Sequence, residues 1–195
     1  MRQILNGRKL LATPPRPGAR WKRAAFTALH VIAVHVALVA STLANADETG
    51  FRPIRVIVLR HAEKAAEPKD EPPLSEAGRR RAQALASLLG KSGVTALYAS
   101  DRLRAVQTLE PLAKQFGIKT EQIAAKDTDA VARAVLTHPG GVVVVAAHSN
   151  TVGPIIEALG GEKIPQLDED DFDSVFIVTV DAPGKASVLR LHWSP

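Results

Sequence analysis

Val142-Val143-Val144-Val145-Ala146-Ala147, followed directly by His148-Ser149-Asn150, is the stretch that decides the fold. It is short, β-branched and unbroken by polar residues. A run of that kind suits a central strand covered on both faces, as in a parallel sheet. Gly140-Gly141 turn the chain into it, after a helix capped by Thr128 or Asp129 and running to Leu136. A helix leaves it near Asn150 and reaches Leu159, where Gly160-Gly161 close it. Ile54-Arg55-Val56-Ile57-Val58-Leu59 is a second β-branched run, behind a leader at 47–53, and it ends in Arg60-His61. Residues 94–99 form a third, ending in Ser100-Asp101-Arg102, and 118–123 a short fourth. Between them, a charged, proline-rich loop at 65–73 precedes a helix capped by Ser75. That helix has Gly78 early in it and Ala82, Leu85, Leu88 and Leu89 at helical spacing. A further helix runs from Leu103 to Phe116 and stops at Gly117. After an acidic loop at 164–173, residues 175–180 and 187–192 pair through a turn at Pro183-Gly184. Strands alternate with helices, so the chain is an α/β sandwich.

The composition narrows the chemistry. The 195 residues contain no cysteine, which excludes disulfides, thiolate metal sites and thiol nucleophiles. Lys and Arg number 25 against 20 Asp and Glu, a net charge of +5. Seven of the basic residues lie in 1–46, which has no acidic residue. Residues 47–195 therefore hold 18 basic and 20 acidic side chains, a balance of −2. The positive charge belongs to the N-terminal segment and does not point to nucleic acid.

That segment reads as an address. Residues 1–23 are basic, 24–40 are apolar, and Ala44-Asn45-Ala46 stands before Asp47. This is the pattern of a cleavable signal peptide; the alternative is a signal anchor, with membrane contact only through 24–46. His30 and His35 lie inside it and receive no chemical role. In either case residues 47–195 are expected outside the cytoplasm, periplasmic or secreted, as the catalytic domain. The oligomeric state has no signature in the sequence.

Ligands of open α/β sheets bind beyond the carboxyl ends of the strands. The order of elements therefore gathers Arg60-His61, Ser100-Asp101-Arg102 and His148-Ser149-Asn150 into one pocket, with Arg104 one turn into its helix. Two guanidiniums match phosphate oxygens bidentately. The helix start near Asn150 adds free N–H groups. A neutral imidazole is a nucleophile toward phosphorus, and charge stabilisation can come from the arginines without a metal or other cofactor. Taken singly, each residue has a plainer reading: Arg104 as a solvated helix residue, His148 as a core histidine. His138 and His192 read as structural or exposed. The run Asp168-Glu169-Asp170-Asp171, with Asp173, reads most simply as a solvated loop, with a calcium ligand or a pocket rim as alternatives.

At these residues the sequence resembles the histidine phosphatase superfamily, the group that includes cofactor-dependent phosphoglycerate mutases. Leu59-Arg60-His61-Ala62-Glu63 is similar to its Arg-His-Gly-Glu signature. Leu74-Ser75-Glu76-Ala77-Gly78 with Gln83-Ala84, Tyr98 to Thr108, and Val145 to Asn150 resemble its other blocks, in the same order. The resemblance implies a phosphoglycerate mutase-like fold, a three-layer αβα sandwich around a mostly parallel sheet. It implies His61 as the phosphorylated nucleophile, with Arg60, Arg104 and His148, and Ser149 beside them, holding a small phosphorylated substrate. Ala62 stands where that family has Gly. No carboxylate follows His148, so the general acid is open among Glu63, Glu121, Asp127 and Asp129. The expected function is a metal-independent phosphatase acting on a phosphomonoester or phosphoramidate. The alternative is a phosphate-binding module without turnover. A metal site on His61 and His148 is disfavoured by the two arginines.

Overall fold

The structure is a computed structural model and describes residues 50–194. The address segment at 1–46 lies outside the described residues.

Six strands form one sheet in the order β3-β2-β4-β1-β5-β6. They are β1 (Ile54–Arg60), β2 (Ala96–Ser100), β3 (Thr120–Ile123), β4 (Val142–Ala147), β5 (Ser174–Ala182) and β6 (Lys185–His192). β1, β4, β2 and β3 pair in parallel; β5 and β6 add an antiparallel ribbon to the free side of β1. The sheet is mostly parallel, and the aliphatic run of β4 is buried at all six positions.

Successive side chains of a strand face opposite ways, so β1 and β4 feed two cores. Val56, Val58, Val143 and Val145 pack on one face against Val131, Val135, Ile155 and Ile156. Those partners come from α3 (Thr128–Val135) and α4 (Val152–Ala158). Ile57, Leu59, Val144 and Ala146 pack on the other face against Leu85, Leu109 and Leu112. These belong to α1 (Glu76–Leu89) and α2 (Leu103–Phe116). Helices cover both faces, which gives the three-layer sandwich. Each fully buried Leu or Val contributes about 1.5–3 kcal/mol to this arrangement.

Helix ends follow local chemistry, with two differences from the sequence reading. Ser75 caps α1, its hydroxyl accepting from the Gly78 N–H, as expected. Gly117 ends α2 in the left-handed region at φ 67°. The cap of α3 is Asp127, whose carboxylate accepts from the Ala130 N–H at 2.9 Å, rather than Thr128 or Asp129. The start of α2 has no capping side chain of its own. Glu71 reaches in from the proline-rich loop and accepts the Leu103 N–H. The last helix begins at Val152, two residues later than expected. The Thr151 and Val152 N–H groups turn back onto the His148 carbonyl at 3.0 and 3.1 Å. They close a turn there, so these two of the anticipated free donors are already used.

Gly78 joins α1 to the chain leaving β1. A Cβ at this position would lie 2.1 Å from the Glu63 carbonyl oxygen. Gly78→Ala is therefore expected to destabilise the fold by about 1–3 kcal/mol, read as a lower urea midpoint. Ala is the better helix former, so an unchanged or raised midpoint would show that this contact does not constrain the helix.

Candidate active site

Arg60 at the end of β1 pairs with Ala147 at the end of β4, and the His61 N–H donates to the Ala147 carbonyl at 2.9 Å. The next residue of each chain is an imidazole. The rings of His61 and His148 lie 5.1 Å apart between centroids, at 67°. Both residues are buried.

His61 is held by both ring nitrogens. Its Nδ1 lies 2.8 Å from the Ala62 carbonyl, an acceptor only, so Nδ1 carries the proton. Its Nε2 then offers a lone pair, which accepts from Arg104 Nε at 3.0 Å. Burial, opposed by the Ala62 carbonyl and reinforced by His148, Arg104 and Arg60, pushes the His61 pKa down to about 3. The ring is neutral at neutral pH, with its basic nitrogen turned toward a guanidinium. Nε2 of His148 lies 2.8 Å from the Ser100 hydroxyl, which leaves Nδ1 as the nitrogen without a protein partner. Burial, with the charges of Arg104, Arg102 and Arg60, pushes this ring down to about 4.

The α2 helix supports this end of β1. The Thr108 hydroxyl accepts the Ala62 N–H at 2.9 Å and donates to the Arg104 carbonyl at 2.7 Å. Gln107 accepts the Leu74 N–H at 2.8 Å. Ala62 sits comfortably where the resembling motif has Gly. No non-glycine residue among those described has a positive φ, and the Ala62 methyl packs against Leu74 and Ala82.

Arg60 behaves differently from the sequence reading. One terminal nitrogen donates to the Asp168 carbonyl at 2.8 Å and the other to the Glu169 carboxylate at 3.0 Å, while its head stacks 4.2 Å from the centre of the Phe172 ring. The guanidinium therefore fastens the acidic loop. Its Nε is buried without a partner. Ser149 joins the same arrangement, its hydroxyl donating to Glu169 at 2.9 Å. The acidic run is exposed at 168–170, as a solvated loop would be, but three of its carboxylates are paired: besides Glu169, Asp171 binds Arg190 at 2.9 Å, and Asp173 faces His192 at 3.2 Å. Among the described residues no group of three or more His, Asp or Glu side chains could hold a metal ion.

A cavity of about 220 Å³ opens at the two rings, lined by Arg60, His61, Arg104, His148 and Ser149 together with Lys64, Arg102, Lys126 and Glu169. None of the four expected general acids lines it. Glu63 is held by Arg81 through three hydrogen bonds of 2.8–3.0 Å. Although burial acts to raise its pKa, those bonds hold it below the ordinary carboxylate value. Asp127 is the cap of α3, Asp129 lies in that helix's first turn, and Glu121 is exposed on β3. The carboxylate that does line the cavity is Glu169, which the sequence placed in an acidic loop with a pocket rim as one alternative. The Ser149 hydrogen bond and the Arg60 charge hold it below its ordinary pKa, so it is ionised. The signal for it in the sequence was only an acidic run following the second histidine's helix. His138 is structural, its Nε2 2.8 Å from the Tyr98 hydroxyl. A larger, apolar cavity of about 450 Å³ lies near the other end of β1, among Leu88, Val142, Val175, Leu191 and Trp193, and brings no comparable cluster of polar groups together.

Comparison with known proteins agrees with the geometry. The model of the histidine phosphatase superfamily (branch 1) matches residues 56–125, which include Arg60, His61 and Arg104. Over that stretch the chain is similar to the histidine phosphatase superfamily. An 8-oxo-(d)GTP phosphatase of Mycolicibacterium smegmatis is 35% identical over 94 residues, 44% of this chain. The chain covers only 29% of that curated relative's length. Among solved structures, the protein histidine phosphatase SixA complexed with tungstate is similar at a TM-score of 0.56 and 21% identity, over 71% of this chain and 96% of that one. The mycobacterial glucosyl-3-phosphoglycerate phosphatase Rv2419c is similar at 0.56 and 19%, over 73% and 99%. These two support the phosphoglycerate mutase-like fold.

The two depressed histidines set a pH dependence of stability. Their folded values of about 3 and 4 lie below the unfolded value of 6.5. Below pH 6.5 the unfolded chain therefore takes up protons that the folded chain does not. Stability is full above pH 6.5 and falls as the pH drops toward 4. The urea midpoint is expected to decrease between pH 7 and pH 5, and His61→Gln with His148→Gln to flatten that slope. A slope unchanged in the double variant would contradict the assignment.

Proposed function

We propose that this chain is a phosphatase that works through a phosphohistidine on Nε2 of His61. The observation that carries the reading is the state of that ring. It is neutral, anchored through Nδ1, and presents its lone pair beside a guanidinium and a second imidazole. In the first step Nε2 attacks phosphorus. A P–N bond forms as the bond to the leaving group breaks, and the leaving group takes that electron pair. Arg104 shifts its N–H donors from Nε2 to the equatorial oxygens, and Nδ1 of His148 serves the same group when Ser100 donates to its Nε2. In the second step water attacks phosphorus, the P–N bond breaks, and its electron pair returns to Nε2. Both water protons leave on inorganic phosphate, which then equilibrates with solvent. The buried, unpartnered Nε of Arg60 is a further donor for the anion.

No metal ion enters this reading, because the arginines supply the positive charge that a metal would otherwise bring. The lining carboxylate, Glu169, is held ionised and is a poor proton donor. The reading therefore favours substrates whose leaving group needs little protonation, aryl phosphates and phosphoramidates over alkyl esters. The same commitment of Glu169 to Arg60 favours a second reading, a phospho-ligand binding module without turnover.

His61→Ala is expected to reduce aryl phosphate hydrolysis to background, and acid-quenched wild type to retain labelled phosphate that the variant lacks. Arg104→Lys is expected to cost about 10²-fold in kcat, since an ammonium cannot reproduce the planar fork. EDTA is expected to leave the rate unchanged. Wild-type turnover in His61→Ala, or strong inhibition by EDTA, would refute the mechanism. Phosphate binding with no turnover of any ester would establish the module instead.

We also place the site outside the cytoplasm, on the basic-then-apolar pattern of residues 1–40 and on Ala44-Asn45-Ala46. Fractionation followed by N-terminal sequencing is expected to find a form beginning at Asp47 in the exported fraction. A chain found only in the cytoplasm would remove this reading.

A further inference from the structure

The lining of the cavity carries more positive charge than one phosphoryl group requires. Arg60 is matched by Glu169, and Arg102 by Glu71 at 3.3 Å. Arg104, Lys64 and Lys126 line the same cavity and have no carboxylate partner in an ion pair among the described residues. A phosphoryl dianion uses two positive charges, so one cation is left over.

The sheet order says which one. From one edge toward the other the ends run β3, β2, β4, β1, β5. Lys126 lies in the turn after β3 and Arg102 just beyond β2, while Glu169 comes from the loop before β5. The single lining carboxylate is therefore at the β5 side, and Lys126 with Arg102 at the β2–β3 side. His61 follows β1, between them. Strands are spaced about 4.8 Å apart, so β2 lies on the order of 10 Å from β1. Lys126 is exposed, and its Ala125 neighbour is fixed by the Asp101 carboxylate, which accepts the Ala125 N–H at 3.1 Å. Asp101 and Glu71 are the carboxylates closest to this corner in the hydrogen-bond pattern. The first holds the turn through its backbone and the second caps α2, and neither lines the cavity.

We propose that Lys126 and Arg102 form a second anion subsite, and that the substrate is a phosphorylated small molecule bearing another phosphate or a carboxylate on the order of 10 Å or less from the reacting phosphorus. This deepens the phosphatase reading and rests on it for the word substrate. The subsite itself is a binding claim. Glu169, at the opposite wall, repels a second anion from that side and gives the substrate one orientation in the cavity.

The test uses three rigid aryl phosphates: phenyl phosphate, 4-carboxyphenyl phosphate and benzene-1,4-diyl bisphosphate. In wild type at low salt, kcat/KM and calorimetric affinity are expected to rise at least tenfold from the first compound to one or both of the others. The two charged compounds tell carboxylate from phosphate. In Lys126→Ala, and more fully with Arg102→Gln, that gain is expected to fall toward one, and in wild type to shrink as salt is added. Equal rates and equal affinities for all three compounds would overturn the subsite, as would a gain that survives in the double variant. If no compound is turned over yet the affinity gain is present and depends on Lys126, the subsite stands and the phosphatase reading fails.

Discussion

The site depends on one pairing, the parallel ladder between β1 and β4. Arg60 and Ala147 end their strands in register, and the ladder continues for one more bond, from the His61 N–H to the Ala147 carbonyl. Each chain then leaves the sheet at an imidazole. Parallel neighbours lie about 4.8 Å apart, and the ring centroids are 5.1 Å apart. The closeness of two residues far apart in sequence is thus a property of strand register. A shift of one residue would also turn the alternating aliphatic side chains of β4 onto the wrong faces. The same hydrophobic pattern that builds the two cores therefore sets the geometry of the histidine pair.

Around this pair the charges divide by task. Arg104 meets His61 directly, and burial, with the charges around it, keeps that ring unprotonated. Arg60 is spread over the acidic loop through two carbonyls, one carboxylate and an aromatic face. An Arg that joins a strand end to a loop over 100 residues later does two jobs: it shapes one wall of the cavity and leaves one buried donor, Nε, unspent. Glu63 and Glu71 are likewise structural, one gripped by Arg81 and the other capping α2. Carboxylates near the motif in sequence are thus drawn into holding the scaffold. The one at the cavity comes from elsewhere.

Much was legible in the sequence. The β-branched runs place β1 and β4, Ser75 and Gly117 mark helix ends, and the polar clusters beyond three strands foretell a shared pocket. The one-residue shift of the α3 cap and the two-residue shift of the α4 start are small, but the second matters. It removes two of the N–H donors expected to face an anion, because they close a turn on His148. The cap of α2 by Glu71 was not legible, and the lining by Glu169 only as the rim alternative for an acidic run, since both depend on loops folding back over long sequence separations.

By itself the sequence determined an α/β chain with two histidines, two arginines and a set of strand ends able to hold an anion, because period and residue type are local properties. Only the tertiary structure decided the tautomer and charge state of His61, the diversion of Arg60 to a loop, and which carboxylate and lysines line the cavity. Those follow from burial and from contacts between distant segments, and no periodicity along the chain encodes them.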